Sequence, residues 1–197
     1  MAKRVFLLVV AALALPATAL SATVKVRVEG KTQTLFAPTQ VTVTAANALD
    51  ALEQASILGE FYYHVTVSGF GTYVGQIGRY PGSGSSGWAF KVDNVSPPVG
   101  ADQVVLKDGD SVLWYYATFG PNGGPPTLQL SPAAGGCYTA QAFDDNGKPA
   151  TVANLVLHIG SSRTMPARSN QKVCPGTHKG LLVRATADDA VRSNALK

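Results

Sequence analysis

Stretches in which apolar and polar residues alternate recur along much of this 197-residue chain. From Thr23 to Val28, valines alternate with Lys25 and Arg27, which is the period of a half-buried strand. Residues 29–31 can turn the chain into a second strand that runs to Phe36. The pattern predicts a β-hairpin, and a hairpin needs further elements to cover its apolar face.

One segment has the spacing of an amphipathic helix. Thr44 can cap its start and Gly59 can end it, so we predict a helix from Ala45 to about Leu58. The apolar face of this helix would consist of Ala48, Leu49, Leu52 and Ala55.

Valine-rich and aromatic stretches after this helix predict strands at residues 62–68, 88–92 and 111–118. Side chains alternate along a strand, so Trp114 and Tyr115 lie on opposite faces of the last one. We therefore expect one of the two to face away from the core. The aromatic residues predicted to lie in the core are Trp88, Phe90 and Trp114, and those predicted to be exposed are Tyr80, Tyr115 and Phe119.

An uncharged segment follows the last of these strands. Residues 119–136 contain four prolines and five glycines, a composition typical of the joints between domains. We place a linker at 120–136, between a first domain at 23–119 and a small second domain at 137–197. In the second domain we predict a hairpin of strands at 137–143 and 151–159, and a further strand at 181–185. The predicted fold class is mainly β: an α+β domain with one helix, followed by a small all-β, sandwich-like domain.

The first 19 residues have the order of a signal peptide. Lys3 and Arg4 precede an apolar run of about 11 residues, and small residues then lead to Ala19. The apolar run is shorter than the roughly 20 residues that a spanning helix needs. We expect cleavage after Ala19, with Ala22 as the alternative site, release of a secreted, extracellular protein, and no membrane insertion after cleavage.

The charge of the chain argues against nucleic acid as a partner. Loss of Lys3 and Arg4 would leave 14 basic residues against 12 acidic ones. The remaining basic residues are scattered and form no run of five or six, so a solvated surface explains them.

The two cysteines, Cys137 and Cys174, are expected to form a disulfide in an oxidising compartment. A metal site is the alternative, because His178 lies four residues beyond Cys174, but no fourth ligand accompanies these three residues.

No catalytic or cofactor-binding constellation stands out. The chain lacks a Gly-x-Ser-x-Gly sequence, and its histidines are scattered at positions 64, 158 and 178. Residues 82–87 fit the dinucleotide-binding glycine spacing, but a strand pattern follows them, so we interpret this segment as a flexible loop or as the border of a ligand groove. Residues 144–147 resemble a turn with too few calcium ligands. We predict a protein that is not an enzyme and has no cofactor or metal.

Several motifs in the first domain resemble those of the transcobalamin C-terminal-like family, a domain of unknown function in secreted and surface proteins of bacteria. The resemblance extends over residues 23–119. The motifs are Ala48-Leu49-Asp50-Ala51-Leu52, Gly69-Phe70-Gly71-Thr72-Tyr73-Val74, Ser86-Gly87-Trp88-Ala89-Phe90-Lys91-Val92-Asp93-Asn94, Pro98-Val99-Gly100-Ala101-Asp102, Leu106-Lys107-Asp108-Gly109-Asp110 and Trp114-Tyr115-Tyr116.

The resemblance implies a β-grasp-like fold, in which a mixed sheet curls around one helix, and it implies binding of a soluble ligand. In transcobalamin-like proteins this domain closes over cobalamin that is held against a separate helical barrel. The sequence contains no such barrel, so the ligand stays open between a cobalamin-like compound and another ring-containing one.

The second half more weakly resembles the β-sandwich modules related to carboxypeptidase regulatory domains, which stiffen or display other domains. The residues that carry this resemblance are Gly136-Cys137-Tyr138, Pro175-Gly176-Thr177, Val183-Arg184-Ala185 and Val191-Arg192-Ser193-Asn194.

Aromatic residues at positions 73–119 are the best candidates for binding, because aromatic faces bind flat rings and sugars by stacking. We predict a secreted, noncatalytic binding module for a small soluble ligand. The alternative is a structural or interaction protein displayed at the cell surface, with an envelope protein as its partner. The predicted ligand-binding residues are Ser85, Ser86, Trp88, Tyr80, Tyr115 and Phe119.

Overall fold

The computed structural model describes residues 21–68 and 71–197. The predicted signal peptide lies outside the described residues, as do Gly69 and Phe70 of the family motifs. The strands are β1 (Ala22–Glu29), β2 (Thr34–Ala45), β3 (Tyr63–Ser68), β4 (Gly71–Ile77), β5 (Tyr80–Pro81), β6 (Ser86–Val92), β7 (Ser111–Thr118), β8 (Thr127–Ala133), β9 (Cys137–Phe143), β10 (Pro149–Ala150), β11 (Val156–Ile159), β12 (Arg163–Pro166), β13 (Lys172–Val173), β14 (Val183–Thr186) and β15 (Ala195–Leu196), with helix α1 at Ala48–Gly59 and a 3-10 turn at Ala101–Gln103.

The first unit is a mixed four-stranded sheet packed on one helix. Its strand order is β2-β1-β7-β6, with β1 parallel to β7 and the other pairs antiparallel. The valines of β1 that face α1 are fully buried against the apolar face of the helix. Trp114 on β7 donates a hydrogen bond from Nε1 to the carbonyl of Ala48, at 3.2 Å. The predicted fold class, mainly β with one helix in the first unit, is confirmed.

The helix begins three residues later than predicted. Thr44 pairs with Thr23 inside β2, so the cap is Asn47, whose Oδ1 accepts a hydrogen bond from the backbone N of Asp50 at 2.9 Å. Glu60 ends the helix in the left-handed conformation, with a φ of 51°. The strand pairing of residues 44 and 45 therefore outweighs the capping preference of threonine.

The second unit is a sandwich of two sheets. One has the order β10-β9-β13, with β8 also paired to β9, and the other has the order β12-β11-β14-β15. Their apolar residues form a separate core that includes Leu130, Leu157, Ile159 and Val183. The predicted disulfide between Cys137 and Cys174 is confirmed.

Three details of the second unit differ from the sequence predictions. Strand β8 lies within the predicted linker at 120–136 and pairs with β9 along its whole length, so the proline- and glycine-rich segment contributes to the sheet. The predicted hairpin of residues 137–143 and 151–159 is wrong, because β9 pairs with β8, β10 and β13, whereas β11 belongs to the other sheet. The strand predicted at 151–159 is shorter, at Val156–Ile159, and it pairs with β12, which the pattern did not predict.

The face of the first sheet that points away from α1 is covered by the second unit. Leu113, Tyr115 and Ala117 of β7 pack there with Val191. Tyr115 is only 1% exposed, so the prediction that it is exposed is wrong. Tyr80 and Phe119 are half-buried. The alternation of Trp114 and Tyr115 is as predicted, but both faces of the sheet are buried because the second unit packs on the face that carries Tyr115.

Within the described residues, no helix is long and apolar enough to cross a membrane.

Candidate functional site

A groove of about 470 Å³ opens beside β6, one of the two edge strands of the first sheet. Residues of β4 form one wall, and residues of β6 form the other. Residues of the loop at 96–101, Trp114 and Tyr115 of β7, and the residues Phe119 and Asp145 complete the lining. The groove lies where the first sheet, a small three-stranded sheet of order β3-β4-β5 and the second unit meet.

Aromatic rings form the apolar wall of the groove. Phe90 stacks on Trp114, with ring centroids 5.0 Å apart and an interplanar angle of 29°. Trp88 is almost fully buried, and its Nε1 donates to the carbonyl of Tyr80 at 2.8 Å. Both indole N–H groups have backbone acceptors, and Trp114 is only 2% exposed, so the two tryptophans support the wall from the core and the half-buried Phe90 ring is the aromatic surface open to the groove.

Tyr73 lies over a group of three glycines on the β4 side of the groove. A β-carbon added at Gly75 would lie 3.8 Å from the Tyr73 ring, and β-carbons added at Gly82 and Gly87 would lie 3.4 and 2.8 Å from its hydroxyl. The last distance leaves no room for a side chain, so glycine at position 87 permits this placement of the ring. The side chain of Tyr73 is 49% exposed and open to a ligand.

Asp145 provides the charge at the polar end of the groove. Its Oδ1 accepts a hydrogen bond from Ser96 Oγ at 3.0 Å, and its Oδ2 accepts one from the backbone N of Gly124 at 2.9 Å. Burial by itself would raise the pKa of Asp145, but these hydrogen bonds and the nearby Lys91 ammonium outweigh it and lower the pKa. The carboxylate is therefore ionised at neutral pH.

Three of the six predicted ligand-binding residues line this groove, namely Trp88, Tyr115 and Phe119. The other three lie close by but are engaged elsewhere. The Ser86 and Thr118 hydroxyls share a 2.7 Å hydrogen bond, the carbonyl of Ser85 accepts from the backbone N of Phe119, and the Tyr80 and Thr32 hydroxyls lie 3.3 Å apart.

The predicted ligand-binding residues leave out Phe90 and Trp114, which were predicted to lie in the core, and also Tyr73 and Asp145. Tyr73 carried a signal, because it belongs to the aromatic group at positions 73–119. Asp145 carried none, because residues 144–147 resemble an ordinary turn and their proximity to β6 depends on how the units pack. The turn itself is as expected, since Asp144 Oδ1 accepts hydrogen bonds from the backbone N atoms of Asn146 and Lys148.

The histidines lie apart from one another. His158 Nε2 lies 2.8 Å from Thr186 Oγ1, His178 Nε2 lies 2.7 Å from Tyr138 Oη, and His64 is exposed on β3. In the part of the chain that the structure describes, no group of three or more His, Cys, Asp or Glu residues could hold a metal ion.

A family model described as a domain of unknown function, DUF4430, matches residues 43–118. The matched segment contains the motifs that resemble the transcobalamin C-terminal-like family. A comparison with curated proteins gives no match.

Two solved structures are similar to part of the chain. Haptocorrin in complex with Cbi has a TM-score of 0.44 and 19% identity, over 51% of this chain and 26% of the haptocorrin chain. This chain thus spans about a quarter of the length of haptocorrin. A protein of Ruminococcus gnavus described as a metal-binding candidate has a TM-score of 0.38 and 14% identity, over 49% of this chain and 97% of its own.

Proposed function

We propose that the protein is a noncatalytic binding module and that the groove between β4 and β6 takes a small, flat, ring-containing ligand. One observation carries the proposal: two aromatic rings with accessible surface, Phe90 and Tyr73, line the same groove, and Phe90 is stacked on the buried Trp114. The volume of about 470 Å³ lies within the range of small-molecule sites.

The geometry supports a stacked mode of binding. The Phe90 ring is half-buried and close to parallel to the buried Trp114 ring, which holds it in place. Tyr73 lies on the other wall and is half exposed, so a planar ligand between the walls would contact Phe90 on one side and Tyr73 on the other. Such contacts contribute about 0.5 to 1.5 kcal/mol per aromatic pair beyond the burial of apolar area.

Asp145 gives the ligand an orientation. Its side chain is 33% exposed, whereas its partner Lys91 is fully buried, so a ligand meets the carboxylate and not the ammonium. We expect the bound compound to carry a hydrogen-bond donor or a positive charge at the end that lies near Asp145.

The groove residues support binding without catalysis. Among the described residues, those that line the groove include no histidine, cysteine or lysine, and the lowered pKa of Asp145 makes its carboxylate a weak base. Burial raises the pKa of Tyr115, and the nearby Asp145 carboxylate adds to this effect. Tyr115 therefore keeps its proton at neutral pH.

Isothermal titration of the purified protein against cobalamin, cobinamide, haem and simple glycans tests this function. We expect one class of ring compound to bind, and we expect Tyr73→Ala to weaken its binding at least tenfold. Tyr62→Ala is the matched control, because Tyr62 is also an exposed tyrosine but lies outside the groove. Equal effects of the two substitutions would contradict the proposed site, and absence of binding across the panel would contradict a small-ligand function.

Docking of a partner protein is the second candidate function, and strand β3 supports it. This strand lies at the edge of its sheet, and Val67 is 79% exposed there. An exposed apolar edge strand can pair with an extended segment of another protein. The experiment is co-sedimentation of the protein with isolated cell envelopes. If the protein co-sediments and Val67→Lys abolishes the co-sedimentation, the result supports this function. Val105→Lys, at a valine that is 76% exposed outside β3, should leave co-sedimentation unchanged.

A further inference from the structure

Three arginines share one buried carboxylate where the two units meet. Glu29 on β1 is 1% exposed, and its carboxylate oxygens lie 2.7 Å from Arg27 Nη1, 3.3 Å from Arg184 Nη2 and 3.0 Å from Arg192 Nη2. Thr34 Oγ1 also donates to Glu29 Oε2, at 2.9 Å. We call Arg27, Glu29, Arg184 and Arg192 the arginine cluster.

The arginine cluster carries more positive than negative charge. Across residues 21–68 and 71–197, the three arginines form ion pairs with Glu29 alone, which leaves two positive charges without a carboxylate. The buried Nε atoms of Arg27 and Arg184 also have no hydrogen-bond acceptor. Burial lowers the pKa of Arg184, but arginine stays protonated in proteins, so the excess charge persists.

A second pocket, of about 410 Å³, opens beside this cluster. Arg184 and Arg192 line it from the second unit, and Thr34 and Pro38 line it from β2. Leu182, which is 37% exposed, adds apolar surface. The pocket shares no lining residue with the groove between β4 and β6.

A bulge in β2 shapes one wall of this pocket. Val26 pairs with Val41, but Val28 pairs with Phe36, so β2 holds extra residues opposite β1. Two residues of the bulge are in the left-handed region, Ala37 with a φ of 50° and Gln40 with a φ of 60°. Non-glycine residues in that region cost about 1 kcal/mol or more each, so the surrounding structure must hold the bulge in place.

We propose that this pocket binds an organic anion, with a carboxylate or phosphate group held by Arg184 and Arg192 and an apolar body against Pro38 and Leu182. Guanidinium groups match carboxylate and phosphate in both charge and geometry. The two uncompensated positive charges make an anionic group favourable, and the apolar residues favour an organic body over an inorganic ion.

Titration with three probes that share a five-carbon alkyl tail tests the proposal: hexanoate, pentyl phosphate and neutral hexanamide, all at one ionic strength. At least one anionic probe should bind tenfold or more tightly than hexanamide, and the tighter anion identifies the headgroup. If neither anion binds more tightly than hexanamide, the proposal is wrong.

A pair of variants at Leu182 locates the site without breaking the arginine cluster. Leu182→Asp and Leu182→Asn remove the same apolar surface, and they differ by one negative charge in the pocket. We expect Leu182→Asp to bind the preferred anion about tenfold more weakly than Leu182→Asn. Equal affinities would overturn the assignment to this pocket, and circular dichroism confirms that both variants fold. Binding of the ring ligand in the groove should be the same in both variants.

Discussion

Lys91 Nζ lies 3.4 Å from Asp145 Oδ1, and this pair joins the two units at the polar end of the groove. Lys91 belongs to β6 of the first unit, whereas Asp145 follows β9 of the second. The same ammonium donates to the carbonyls of Phe143 and Asp144, at 3.3 and 2.8 Å, so it holds the turn against the first sheet. The groove is therefore built by both units.

Removal of the Lys91 ammonium should loosen this junction. Lys91→Met would remove the ammonium that donates to the Phe143 and Asp144 carbonyls and pairs with Asp145, and we expect the free energy of unfolding to fall by about 2 to 3 kcal/mol. Urea unfolding followed by circular dichroism measures the change. Lys107→Met, at an exposed lysine, should cost less than about 0.5 kcal/mol, and a similar loss in both variants would contradict the role of Lys91.

The lowered pKa of Asp145 predicts a pH dependence of stability. A carboxyl group whose pKa is depressed in the folded state stabilises the fold above its unfolded-state pKa of about 4. That contribution is lost as the pH falls through the lower folded-state value. Asp145→Asn should therefore flatten the decline in unfolding free energy below about pH 4, whereas Asp189→Asn, at an exposed aspartate, should keep the slope of the wild type. If the wild type and both variants lose unfolding free energy with the same slope below about pH 4, the pKa of Asp145 is not lowered by the fold.

Gly87→Ala should displace Tyr73 without unfolding the protein. The added β-carbon would lie 2.8 Å from the Tyr73 hydroxyl, and the end of a flexible side chain can move away at little cost. We expect a change in unfolding free energy below about 1 kcal/mol, together with weaker binding of the ring ligand. Gly120→Ala is the control, because a β-carbon there meets no atom within 4 Å. If Gly87→Ala binds the ring ligand with unchanged affinity, Tyr73 does not contribute to binding.

The disulfide should stabilise the second unit. It links residues separated by 37 positions. Because the crosslink lowers the entropy of the unfolded chain, a loop of this length adds about 3 to 4 kcal/mol to the free energy of unfolding. We expect the double variant Cys137→Ala, Cys174→Ala to lose about that much unfolding free energy in urea. Reduction of the wild-type protein should give a similar loss, and a reduced protein as stable as the oxidised one would contradict this expectation.

Local patterns predicted much of the fold. The strand at Ser111–Thr118 matches its prediction, because its alternation and flanking turns are local features. The local composition around β8, rich in proline and glycine, predicts a linker, and its pairing with β9 makes this segment a strand. The burial of Tyr115 could not be predicted from the local sequence either, because it depends on the second unit covering that face of the first sheet.

In the candidate site, too, the local sequence predicts some residues, and the tertiary packing determines the others. Trp88 and Phe119 were within reach of sequence reasoning, because aromatic side chains crowd a short length of chain. Ser85 and Ser86 were selected for their glycine-rich loop, yet their hydrogen bonds tie them to the end of β7. Asp145 comes from a distant segment, and nothing in the local sequence indicates that it meets β6.

The most direct test of the proposed function is a titration followed by tryptophan fluorescence. The chain has two tryptophans, and both lie in the core directly behind the groove, so the emission reports on this part of the first unit. A ring-containing ligand identified by calorimetry should change the emission with the same dissociation constant, and Tyr73→Ala should weaken that response at least tenfold. A ligand that binds by calorimetry but leaves the emission of Trp88 and Trp114 unchanged would contradict binding in the groove.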